Sequence, residues 1–211
     1  GGGQVAVGGK LGVLIILSVA GELKEGGGLL DFKIEEGRRV VSSLPITFAY
    51  RFSNDGGDRI KPVGEVTIKN IFGFTSAVLD ANKNEGNVLQ GSIRKFTALW
   101  HSRGQKISDL TKKEELELMA KITEEGKEKK GFFETAGVQW SNFAFGLYKA
   151  ELDLTYGPDS KTAEASLRFL VIPWQLLSIV ILLLTSMGFF GRAGLKKYNK
   201  WIIAKASGQK K

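Results

Sequence analysis

The chain contains no cysteine and one histidine, His101. Without thiols it has no disulfide scaffold, no cysteine-ligated zinc or iron–sulfur cluster and no thiol nucleophile. A lone histidine excludes His-pair metal sites and leaves few routes to a histidine-based triad. Acidic residues are also scarce at one end. None follows Glu164, while the last twenty positions hold Arg192, Lys196, Lys197, Lys200, Lys205, Lys210 and Lys211. Subtracting those seven charges from the net +8 leaves +1 for residues 1–191. A nucleic-acid module would carry its basic stripe on the folded part, interleaved with aromatics, so no nucleic-acid partner is expected.

The hydrophobic fraction, 43% of 211 residues, suffices for the core of one domain with appendages and excludes wholesale disorder. Glycine reaches 27 residues, nearly twice the usual share of about 7%, which predicts many turns.

One long apolar run stands out. Residues 169–190 are 22 positions without a formal charge, and about 20 suffice to cross a bilayer as a helix. A buried core helix rarely runs so long uncharged and then enters a block of pure Lys and Arg, so a transmembrane helix is the reading. Pro173 sits in its first turn, where a missing N–H costs little. Trp174 marks one headgroup boundary; Tyr198 and Trp201, among Arg192, Lys196, Lys197 and Lys200, mark the other. These seven residues are the expected membrane-interface set, and the lipid bilayer is the expected partner. The positive-inside rule makes residues 191–211 a basic cytoplasmic tail and the preceding domain extracytoplasmic, in a single-pass protein of the cell membrane. Residues 195–207 mix Lys with Tyr198, Trp201, Ile202 and Ile203 and could lie along anionic lipid; a simple stop-transfer anchor is the plainer expectation.

At the other end, residues 11–20 are rich in Val, Leu and Ile and bounded by glycines, which predicts a strand rather than a signal h-region. Residues 1–28 are therefore expected to close a missing upstream domain of a longer precursor.

Between these ends, residues 29–168 read as short strands separated by turns. Segment 46–52 is apolar at every second position, 53–58 is a dense Asn-Asp-Gly turn, and 62–70 is a strand entered through a proline. Segments 74–79 and 92–100 follow, then 146–156, a Gly-Pro-Asp-Ser turn, and 162–171. About eight strands with little helix predict a mainly β, immunoglobulin-like antiparallel β-sandwich. Residues 108–130 break the pattern with thirteen charges. Thr111 and Glu114 have capping-box spacing ahead of a partial apolar face, which predicts one short inserted helix, a solvated excursion by default.

Three stretches carry a resemblance: residues 62–73 running on into 87–100, residues 142–157, and Phe169-Leu-Val-Ile-Pro-Trp174 leading into the span. Together they resemble a group of bacterial surface proteins with immunoglobulin-like domains before one C-terminal transmembrane helix, distantly similar to the WxL-interacting proteins. The resemblance implies an upstream sandwich and, for the distant relatives, binding of peptidoglycan and partner surface proteins. It carries no site residue onto this chain. Gln90 stands where the resemblance leads one to expect a proline.

Candidate chemical sites are few, and no catalytic, cofactor or metal residue is assigned. His101 lacks an oriented carboxylate and a nucleophile at useful spacing, so an exposed edge histidine is expected. Asp80, Asn82 and Asn84 begin like a calcium loop, but Gly86 is one place late and no closing Glu follows, which favours an Asx-rich turn. The glycines of residues 1–9 lack the Gly-Lys-Ser/Thr ending of a phosphate loop. Glu151 and Asp153 share one strand face and read as solvent-facing. Tyr148 has the place of a tyrosine corner. Trp100, Phe132, Phe133, Trp140, Phe143 and Phe145 are expected in core and membrane-proximal packing, with a sugar-binding platform as the alternative.

The expected function is a non-catalytic binding, adhesion or scaffolding module for cell-wall glycan or another surface protein. The rivals are an accessory domain of a membrane-tethered enzyme whose catalytic part lies upstream, and an accessory subunit of a membrane complex. In the last case Gln175, Ser178, Thr185 and Ser186 would bond across helices.

Overall fold

The computed structural model describes residues 26–109, 111–125 and 131–207. The predicted strand at 11–20, the opening glycines and the final lysines lie outside them. Eight strands form: β1 Gly28–Ile34, β2 Val40–Val41, β3 Ile46–Asn54, β4 Val63–Asn70, β5 Thr75–Asp80, β6 Ser92–Trp100, β7 Gly146–Tyr156 and β8 Lys161–Val171. The described residues also form three α-helices: α1 Lys112–Glu125, α2 Phe132–Ser141 and α3 Trp174–Ser207. The protein is mainly β, in two sheets ordered β1-β3-β6 and β2-β8-β7-β4-β5.

Alternation explains the shared core. Ile46, Phe48, Tyr50 and Phe52 leave β3 on one face; Tyr148, Ala150, Leu152 and Leu154 leave β7 on one face; all eight are buried. Rings meet between the sheets: Phe48 against Phe169 at 5.5 Å, Phe52 against Tyr156 at 4.8 Å, Trp100 against Tyr148 at 5.2 Å. Edge-to-face contacts of this kind add about 0.5–1.5 kcal/mol each beyond area burial. Tyr50 donates its hydroxyl to the Ala81 carbonyl at 3.1 Å, and burial pushes its phenol far above the ordinary range. Tyr148 contributes its ring, stacked 5.7 Å from Phe169.

Three expectations need correction. The pairing is not wholly antiparallel, because Val40 and Val41 run parallel to Leu170 and Val171. Two α-helices, not one, separate β6 from β7. The apolar run 169–190 is also divided: Phe169 and Val171 finish β8 as buried residues and the helix starts only at Trp174. Hydropathy cannot see that junction, since a buried strand end and an apolar helix share one composition. Pro173 marks it, by disfavouring helix at Ile172 and accepting the first helical bond from Leu177 N–H at 2.9 Å.

The capping box holds as read. The Thr111 N–H donates to the Glu114 carboxylate at 2.8 Å and the Glu114 N–H to the Thr111 hydroxyl at 3.3 Å. Helix α1 is then tied to the β5–β6 loop by Lys83 and Glu115, 3.3 Å apart with side chains only 15% and 12% exposed. Burial pushes the Glu115 carboxyl up, against the pull of Lys83. Lys83→Met, which removes the cation beside that carboxylate, is expected to cost about 3 kcal/mol. The double variant Lys83→Met, Glu115→Leu should recover most of it in denaturant unfolding; equal losses in both would contradict a coupled pair.

Candidate membrane interface

Helix α3 carries an 18-residue window of mean hydropathy 1.9 that is only 6% buried, the one such stretch among the described residues. Ile181, Leu182, Leu183, Leu184, Met187, Phe189 and Phe190 are each 60–75% exposed. Leaving seven such side chains in water rather than an apolar phase costs on the order of 10 kcal/mol. At about 1.5 Å per residue, Trp174 and Arg192 are roughly 27 Å apart, and Trp174 and Trp201 roughly 40 Å. Those spans correspond to the hydrocarbon core and to the bilayer with its headgroups.

The seven sequence-predicted interface residues all lie on α3, in two sets. Trp174 heads the helix with its ring 5.7 Å from Phe132. Tyr198 and Trp201 stack 6.2 Å apart near the other end, among exposed Arg192, Lys196, Lys197 and Lys200. Two polar residues within the apolar part of α3 have partners within the chain. Ser178 donates to the Trp174 carbonyl at 2.8 Å and Thr185 to the Ile181 and Leu182 carbonyls at 3.0 and 2.9 Å.

Gln175 takes part in a latch that sequence reasoning missed. Gln139, 1% exposed on α2, donates its amide to the Gln175 side-chain carbonyl, and its own side-chain oxygen accepts the Leu176 N–H at 3.0 Å. A buried amide with both ends bonded fixes α2 beside the first turn of α3. The pattern of α2 is thereby inverted. Small or polar Ala136 and Gln139 are buried, while Phe133 and Trp140 are 80% and 74% exposed. Of the aromatics expected in packing, Trp100 is fully buried, whereas Phe132, Phe133, Trp140, Phe143 and Phe145 are exposed.

Strand register locates these rings. Asn70 pairs with Tyr148, and Gly146 with Val171, so the β4–β5 turn lies at the end of the sheets from which α3 departs. That turn exposes Ile71, Phe72 and Phe74, and a hollow there is lined by Phe74, Arg103, Trp140 and Phe143. The sequence signal was available: Ile-Phe-Gly-Phe occupies a turn that polar residues usually fill.

The remaining candidates resolve into structure. His101 is half-buried rather than exposed, with a buried Nε2 that has no hydrogen-bond partner among the described residues, and burial holds its pKa below the ordinary value. Asn82 is 7% exposed. Its amide donates to the Pro62 and Gly86 carbonyls at 2.8 and 2.9 Å, and its oxygen accepts the Gly86 N–H at 2.7 Å, making it a turn organiser. Glu151 bonds Lys69 at 2.6 Å and Lys149 at 2.7 Å, which hold its carboxyl below the usual range. Among the described residues, no group of three His, Asp or Glu is arranged to hold a metal ion. No protein-family model matches this chain, and no curated protein matches it.

Proposed function

We propose that the chain is a single-pass membrane protein whose extracytoplasmic domain is an immunoglobulin-like sandwich. In this reading it serves as a non-catalytic binding or scaffolding module for cell wall or another surface protein. The observation that carries it is the exposed apolar helix α3, joined within two residues to the last strand of a folded β domain. The strand orders support the immunoglobulin-like reading. β1-β3-β6 corresponds to A-B-E and β8-β7-β4-β5 to G-F-C-C′ of that topology, with β2 a short addition beside G. Basic residues confined to the far end of α3 favour a cytoplasmic tail. The in-chain partners of Gln175, Ser178 and Thr185 weaken the reading of α3 as an interface to other subunits.

Binding is tested by sedimenting the full chain, in detergent micelles, with isolated cell-wall sacculi before and after protease stripping. Pelleting with stripped sacculi identifies glycan, and pelleting only with unstripped sacculi identifies a surface protein. A chain that stays in the supernatant in both cases has neither ligand, and the binding reading falls.

A further inference from the structure

We propose that the α3-proximal end of the β domain is itself a lipid-binding surface. Helix α2 and the β4–β5 turn seat their exposed aromatics in the headgroup layer, so that the domain does not stand clear of the bilayer on a stalk. The inference rests on the reading of α3 as a membrane span. Its occupant is a phospholipid surface, and four observations point to it.

First, every exposed aromatic side chain among the described residues before α3 belongs to this end: Phe72, Phe74, Phe132, Phe133, Trp140, Phe143 and Phe145. The opposite end is built from Asn54-Asp-Gly-Gly-Asp58 and Gly157-Pro-Asp-Ser160 turns, chemistry suited to water. Second, the inverted burial of α2 is what a helix adopts when its outer environment is apolar and its inner contact is a polar latch. Third, depth is fixed by a hydrogen bond. Gln139 meets Leu176 N–H at 3.0 Å, so Trp140, one residue on, lies beside the first apolar turn of α3. An indole at that level is where aromatic belts sit. Fourth, the patch is continuous with α3 through the Phe132–Trp174 ring contact. Arg103, beside Trp140 and Phe143, offers a cation at phosphate level. The single acidic residue of α2, Glu134, lies in its first turn, where the helix dipole favours it without a lipid-facing role.

The test uses the full chain reconstituted in phosphatidylcholine–phosphatidylglycerol vesicles with bromine on the upper acyl chain. The emission lost in Trp140→Phe relative to the parent isolates the Trp140 signal, and Trp174→Phe isolates that of Trp174. Retaining a ring at each site keeps folding out of question. Brominated lipid is expected to quench Trp140 by at least half and to about the same degree as Trp174, with aqueous iodide ineffective on Trp140. Quenching of Trp140 by iodide, with Trp174 still quenched by lipid, overturns the proposal and leaves the span standing. Shielding of Trp140 from both quenchers means a second copy covers it, which also overturns the proposal. If lipid bromine quenches neither tryptophan, the span reading falls with it.

Discussion

Leu183→Arg together with Leu184→Arg is expected to remove the protein from the carbonate-resistant membrane fraction. Both positions lie near the middle of the apolar part of α3 and are 62% and 63% exposed, so nothing in the β domain depends on them. Each arginine at a helix centre costs about 2.5–3.5 kcal/mol of insertion free energy. The pair therefore costs roughly 5–7 kcal/mol, a shift of about four to five decades at 1.4 kcal/mol per decade. The isosteric control Leu183→Ile, Leu184→Ile should stay in the pellet. Retention of the double-arginine variant would mean that α3 is held by protein contacts rather than lipid.

The second large effect concerns the domain alone. Trp100→Ala is expected to destabilise it by about 3–5 kcal/mol, because Trp100 is fully buried and links both sheets through Tyr148 and Phe169. Its indole N–H also donates to the Ser102 carbonyl at 2.8 Å, which alanine leaves unbonded. Against the usual 5–15 kcal/mol of domain stability, that loss lowers the unfolding midpoint by roughly 6–20 °C, read by near-ultraviolet circular dichroism of the detergent-solubilised chain. Membrane retention should not change, since the ring contacts of Trp100 are with Tyr148 of β7 and Phe169 of β8, within the β domain. A midpoint within a degree or two of the parent would contradict the packing described.

The strands and the long apolar helix were legible because each follows one pattern. Ile46, Phe48, Tyr50 and Phe52 alternate, and the run from Phe169 to Phe190 carries no charge before Arg192. What escaped reading lies where two signals overlap or reverse. Phe169 to Val171 are strand and yet as apolar as α3, so composition blurs the boundary that Pro173 sets. Helix α2 escaped because its buried residues are Ala136 and Gln139 and its exposed ones are aromatic, the opposite of the pattern by which a soluble helix is found. Gln139 in particular has no sequence signature. A glutamine becomes a structural latch only once Gln175 and the Leu176 N–H stand opposite it. Asn82 was readable as a turn former, and its burial follows from bonds to Gly86 in its own loop and to the Pro62 carbonyl at the entry to β4.

Topology is the claim on which the rest depends, and protease shaving of intact cells that carry the chain with a tag at each end tests it most directly. The account predicts that peptides from residues 29–168 are released while the tag beyond the basic tail survives. Protection of those peptides with loss of the tail tag would invert the orientation and contradict the account.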